Sequence, residues 1–167
     1  MTKTIASQGG GNGSPAATTG TECVADILER ELDHVIRDWM ALVEKEPDLA
    51  RIRLNFQERT GHLPKLLHDV IARLRLDKRS KPAVSVVASH HGELRKEQGY
   101  SAAMVVDESR ILQVSIFSTL HKNEHLVKFS TLLPDVVTIA DEVDAQLKQQ
   151  ILCFLPGERV GKKEAAN

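Results

Sequence analysis

The side chains able to do chemistry in this chain are its histidines, its two cysteines and a group of charged residues around one glycine. His121 and His125 stand four apart, a spacing at which two imidazoles share a helix face and can ligate zinc or iron. No H-E-x-x-H run and no paired cysteine motif accompanies them, so an exposed pair without metal is the favoured reading. His90 and His91 are adjacent, and neighbours on a helix point about 100° apart, which keeps them from one ion. Haem needs a proximal histidine facing an open apolar pocket. His91 or the His121/His125 pair could serve a haem- or metal-binding helical sensor, but no diagnostic spacing supports this alternative. Cys23 and Cys153 make no disulfide framework and read as reduced thiols. Gly9, Gly10 and Gly11 lack the Gly-Lys-Ser/Thr ending of a phosphate loop, and no local signature pairs a nucleophile with a base. No enzyme and no bound cofactor are predicted.

The stretch 88–110, ASHHGELRKEQGYSAAMVVDESR, carries the densest polar chemistry. Gly99 supplies a left-handed position that ends one helix, and Ser101 is an N-cap for the next, with Tyr100 filling the corner. Before the corner Val84, Val87, His91, Leu94 and Gln98 recur at helical spacing. An imidazole on that stripe needs a partner, and Tyr100 or Glu108 can provide one. Arg95 and Arg110 are cations that require acidic partners. The candidate site is therefore His91, Arg95, Gln98, Tyr100, Glu108 and Arg110. It has two readings: a buried polar network that fixes the angle between two helices, or a place where a signal binds.

These residues must be held by helices, for which the remaining pattern argues. Thr19 and Glu22 suggest a capping box opening a helix to about Glu46, with the stripe Val24, Leu28, Leu32, Val35, Trp39 and Val43. Trp39, the only tryptophan, is a core anchor. Pro47-Asp48 restarts the chain as a short helix from about Leu49 to Arg59, and Thr60-Gly61 turns it. Residues 62–76 repeat apolar positions at helical spacing, with Pro64 tolerated in the first turn. The segment 109–120 alternates like a strand at Leu112, Val114 and Ile116. Its competing register of Val105, Ser109, Leu112, Ile116 and Leu120 suits a buried helix, and no second strand exists to pair with it. A last helix opens at Pro134-Asp135 and carries Val136, Ile139, Val143, Leu147 and Ile151.

Composition narrows the function classes. The 167 residues, 41% of them apolar, suffice for one domain. The 22 basic and 23 acidic side chains cancel, so no overall field attracts nucleic acid or an anionic membrane. Arg73, Arg75 and residues 77–82 form the one basic cluster, read as a solvated loop because no aromatics interleave it. No apolar run approaches the roughly 20 residues that span a bilayer, and no secretion signal opens the chain, so a cytoplasmic protein is expected. Residues 1–20, poor in side chains that bury, and 157–167 read as flexible tails around a domain at 21–156.

The string A-x-H-H-G-E-L-R-K-E-Q-G-Y-S, followed by E-S-R-I-L, resembles the N-terminal domain of RsbR-type stressosome proteins, found also at the N-terminus of some bacterial histidine kinases. The resemblance runs over about residues 27–151 and is most specific at His91-Gly92, Arg95, Gln98-Gly99-Tyr100 and Arg110. It implies an all-α, globin-like bundle of five or six helices: a sensory input module without catalytic activity, homodimeric through its first or last helix. Such domains usually continue into an anti-sigma-antagonist domain or a kinase. A chain ending here is expected to act on a separate partner of that kind. Ser109 stands where the family would place an aromatic residue, which predicts a cavity beside it.

Overall fold

The computed structural model describes residues 21–76 and 81–155. Within them the fold is all-α, with eight α-helices and no strand. They are α1 (Val24–Arg30), α2 (Leu32–Val43), α3 (Pro47–Arg51), α4 (Phe56–Thr60), α5 (Leu63–Arg75), α6 (Val86–Glu97), α7 (Ala102–Lys122) and α8 (Phe129–Leu152), with a 3₁₀ turn at Glu124–Leu126. The segment 109–120 is helical, and Val105, Ser109, Leu112, Ile116 and Leu120 all turn inward. The helix register prevails because α7 packs against α2 on one side and α8 on another, leaving no sheet edge to pair.

Burying the long stripe read at the start of the chain takes two helices. At Glu31 the backbone leaves helical geometry (φ −95°, ψ 11°), separating α1 from α2. The ladder resumes when His34 and Val35 donate to the Glu31 carbonyl at 2.8 and 2.9 Å. Val24, Leu28, Val35, Trp39 and Val43 are all buried, so the stripe is consumed by the chain's own core. α1 opens at Cys23 with no side-chain cap. Thr19, expected to cap it, lies outside the described residues.

The helix expected from Leu49 to Arg59 is likewise two short ones. Asn55 accepts from the Glu58 amide at 2.9 Å while its own amide donates to the Glu58 carboxylate at 2.8 Å. This reciprocal cap makes Asn55 a helix start, so the chain is extended before it. α8 departs in the other direction: it begins at Phe129, with Pro134 inside it rather than at its head. The amide hydrogen missing at Pro134 would have served the Ser130 carbonyl within the opening turns. The loss of one bond there is tolerated while Leu132 and Val136 pack on the core.

α6 is rotated from its expected face. Val84 precedes the helix and is 80% exposed, while Ser85 caps it, accepting from the Ala88 amide at 3.1 Å. The buried face is Ala88, His91, Gly92 and Arg95, nearly without aliphatic bulk. What it buys is proximity. A β-carbon on Gly92 would stand 2.5 Å from the Gln150 carbonyl oxygen, so α6 and α8 meet backbone to backbone there. Gly99 follows with φ 87°, closing α6 as anticipated and setting Ser101 to cap α7 by accepting from the Met104 amide.

No helix among the described residues is long and apolar enough to cross a membrane.

Candidate functional site: a buried corner of arginines, glutamate and histidines

The turn between α6 and α7 brings Arg95 and Glu108 together in the core, 0% and 4% exposed at their side chains. Arg95 Nε donates to Glu108 Oε2 at 2.8 Å. Its Nη2 donates to the Arg59 carbonyl at 2.7 Å, and its Nη1 to Gln98 Oε1 at 2.7 Å and the Glu58 carbonyl at 3.3 Å. Those carbonyls belong to the last turn of α4, where a helix too short to satisfy itself presents acceptors and partial negative charge. The guanidinium thus ends α4 and neutralises Glu108 at once. Its carbon also lies 4.9 Å from the Tyr100 ring centroid, in a cation–π contact.

Tyr100 closes the other side of the carboxylate, donating from its hydroxyl to Glu108 Oε1 at 2.8 Å. The same hydroxyl accepts from Arg59 Nη1 at 2.9 Å. Arg59, buried as well, donates from Nη2 to the carbonyls of Leu49 (3.3 Å) and Ile52, which end α3. Two buried arginines therefore each finish one five-residue helix. Trp39 on α2 completes the frame, its Nε1 donating to the Glu108 carbonyl at 3.1 Å. Burial raises the Glu108 carboxyl, but the His91 and Arg95 side chains beside it outweigh this and hold it below its usual range. The Tyr100 hydroxyl is pushed up, first by burial and then by the Glu108 charge.

His91 faces this network from α6, its Nε2 3.6 Å from Glu108 Oε2. Its ring lies flat on that of His62, centroids 3.5 Å apart and planes 16° from parallel, and His62 meets the Trp39 ring edge-on at 6.4 Å. Burial depresses both imidazoles, well below the ordinary value in His62, where His91 and Arg95 add to the effect. The Nδ1 atoms of both rings are buried without a hydrogen-bond partner. Among the described residues no hydroxyl or thiol is hydrogen-bonded to His91.

Of the residues singled out in the sequence, His91, Arg95, Gln98, Tyr100 and Glu108 converge. Arg110 does not. It lies on the outer face of α7, pairing with Glu46 at 2.8 Å and Asp107 at 3.6 Å, its side chain 54% exposed. Two residues away from Glu108 on a helix is nearly the opposite face, which separates them. His121 and His125 share no helix face either, because α7 ends at Lys122 and the chain tightens into the 3₁₀ turn; His121 pairs with Glu124 at 3.0 Å. Among the described residues no three or more His, Cys, Asp or Glu side chains are grouped to hold a metal ion. Ser109 does border a void, together with Trp39, His62, His91 and Glu108, but of only about 10 Å³, too small for a ligand. In the basic cluster Arg73 is buried and Arg75 pairs with Asp26 and Glu29 on α1, so neither contributes to an open cationic patch.

Linear spacing gave no sign of two members of the site. Arg59 and His62 come from the short α4 and the turn after it, and only tertiary packing brings them to residues 91–108. The local hint for Arg59 is its place in the last turn before Thr60-Gly61, where a cation meets free carbonyls.

A second concavity, of about 390 Å³, opens above the stacked rings. It is lined by Gly61, His62, Lys65, Val86, Val87, His90, His91 and Leu94. No family model, curated protein or solved structure matches this chain.

Proposed function

We propose that this chain is a non-enzymatic bacterial signalling input module of the RsbR N-terminal type. In this reading it is a cytoplasmic homodimer that modulates a separate kinase or anti-sigma-antagonist component through changes in helix packing. The observation that carries the reading is the gathering of His91, Arg95 and Tyr100 on one buried carboxylate, with Gln98 bonded to Arg95; of the residues that bear the resemblance, Arg110 alone lies outside this cluster. Through Glu108 the angle between α6 and α7 is tied to the ends of α3 and α4. In this reading a change at one of these elements is transmitted to the others.

The dimer surface in this reading is on α8. Phe129, Leu133 and Val137 recur every fourth residue and are 78, 57 and 62% exposed, whereas the stripe on the first helices is spent internally. Light scattering on a sizing column should report twice the chain mass for the wild type and one chain mass for Leu133→Glu. The signalling claim is tested by deleting the gene from its host and profiling stress-induced transcripts. Loss of induction, restored by the wild-type chain but not by Glu108→Gln, supports it; an unchanged transcript profile overturns it.

A further inference from the structure

His62 and His91 meet face to face across two elements, His62 in the turn that leads into α5 and His91 in the middle of α6. The outer ring covers the inner one. His91 is 3% exposed, whereas His62 is half-buried and borders the concavity of about 390 Å³. With centroids 3.5 Å apart, no water fits between the planes. A neutral pair suits this arrangement and a charged pair does not. An imidazolium carries hydrogen on both nitrogens, and the buried Nδ1 of each ring has no acceptor among the described residues. Two imidazolium rings in contact would also repel each other with no solvent between them to screen the charge.

The surroundings offer little to offset that charge. α7 supplies Glu108, which is already bonded to Arg95 and Tyr100. Its Oε2 lies 3.6 Å from His91 Nε2, so it partly compensates a proton on His91 but not one on each ring. The other charged or titratable groups beside the pair are basic: His90 and Arg95 on α6, and Lys65 in the first turn of α5. From α2 comes Trp39, and from α8 come Val143, Gln146 and Gln150, none of which titrates. α4 sends Arg59 to the Tyr100 hydroxyl instead. His62, however, has a way out. Its side chain makes no capping bond to α5, and beside it lie the exposed Gly61 and the open concavity. His91 is held on the buried face of α6.

We propose that the His62–His91 stack is an acid-operated latch, in which proton uptake turns the His62 ring out into the concavity, uncovers His91 and breaks the Trp39–His62 contact while the helices stay folded. Opening lets each ring take up a proton, so it is steeper than a single titration. Burial depresses both imidazoles in the closed form, which puts the midpoint below the ordinary 6.5, with the open form favoured as pH falls. Down to that midpoint the folded chain refuses protons that the unfolded chain accepts, so stability is lost first and the latch opens after. The latch lies one ring away from Glu108, the carboxylate that joins α6 to α7. It needs no partner and does not rest on the signalling reading above.

The test is a titration of the full-length protein from pH 8 to pH 5, followed by the imidazole resonances of His62 and His91, the nuclear Overhauser contact between the two rings, and the fluorescence of Trp39, the single tryptophan. Far-ultraviolet circular dichroism is recorded in parallel. The two histidines and Trp39 should change together at one midpoint below 6.5, with a slope of more than one proton, loss of the ring-to-ring contact and an unchanged helix signal. His62→Phe keeps a ring over His91 that takes no proton, and should remove the Trp39 step. Should that variant not fold, the wild-type titration decides by itself. No step by pH 5, separate one-proton midpoints, a ring-to-ring contact that survives the step, a step that persists in folded His62→Phe, or one that coincides with loss of the helix signal would each overturn the latch.

Discussion

Glu108 and Arg110 are two residues apart on one helix, both charged and both paired, yet they make opposite predictions. Among the described residues Glu108 is the only carboxylate bonded to the Arg95 guanidinium, in a setting where both side chains are essentially dry. Glu108→Ala leaves that cation without its counter-charge and Tyr100 without its acceptor, and removing one partner of a buried pair costs about 3–5 kcal/mol. Arg110 holds Glu46 at a half-exposed surface, where such pairs contribute about 0–1 kcal/mol. Urea unfolding should show a large drop in midpoint for Glu108→Ala and a small one for Arg110→Ala. Equal losses would mean that the buried pair is not what holds the corner. The sequence marks both residues as in need of partners, and on local spacing they are indistinguishable. What separates them is which side of α7 meets α2 and α6, and helix periodicity shows this only once those neighbours are placed.

Among the elements, α6 is buried without an apolar stripe, and α8 buries a polar face beside its apolar one. The inner face of α6 is Ala88, His91, Gly92 and Arg95, and α8 turns Asp135, Thr138, Glu142, Gln146 and Gln150 inward along one face. Gln146 Nε2 donates to the Leu66 carbonyl of α5 at 3.2 Å and to Glu142 Oε1 at 3.3 Å. Periodicity of apolar residues finds the α7 register and the Ile139 and Val143 positions of α8, because those contacts are hydrophobic. It is blind to faces that pack through small size and hydrogen bonding, and so placed the α6 stripe on Val84 and Val87. Gly92 is the residue on which the close approach depends, since a methyl group there meets the Gln150 backbone rather than a flexible side chain. Gly92→Ala should therefore destabilise the fold by about 1–3 kcal/mol, the cost of overpacking a tight contact, although alanine favours an isolated helix over glycine. A thermal or urea midpoint at or above that of wild type would show that α6 and α8 can separate without penalty.

At the scale of the whole molecule, the buried titratable groups set how stability depends on pH. His62 and His91 both have folded-state values below the ordinary 6.5 because burial disfavours the imidazolium. As pH falls through about 6.5, the unfolded chain takes up protons that the folded chain refuses, so stability declines toward acid. Glu108, held below its ordinary 4.5 despite its burial, adds a further loss as pH drops below that value. Glu142 works the other way: burial raises its carboxyl, and the stability it contributes is greatest in acid and shrinks as pH rises above 4.5. Since its influence overlaps the histidine window from below, the net curve alone does not assign the histidines; a difference between variants does. Urea midpoints from pH 8 to pH 5 should fall steadily in the wild type, and the fall should be shallower in both His62→Gln and His91→Gln, which remove one refusing imidazole each. If either variant keeps the wild-type slope, its ring is solvated enough in the folded state to accept a proton. The stacked pair would then be an exposed contact rather than a dry one.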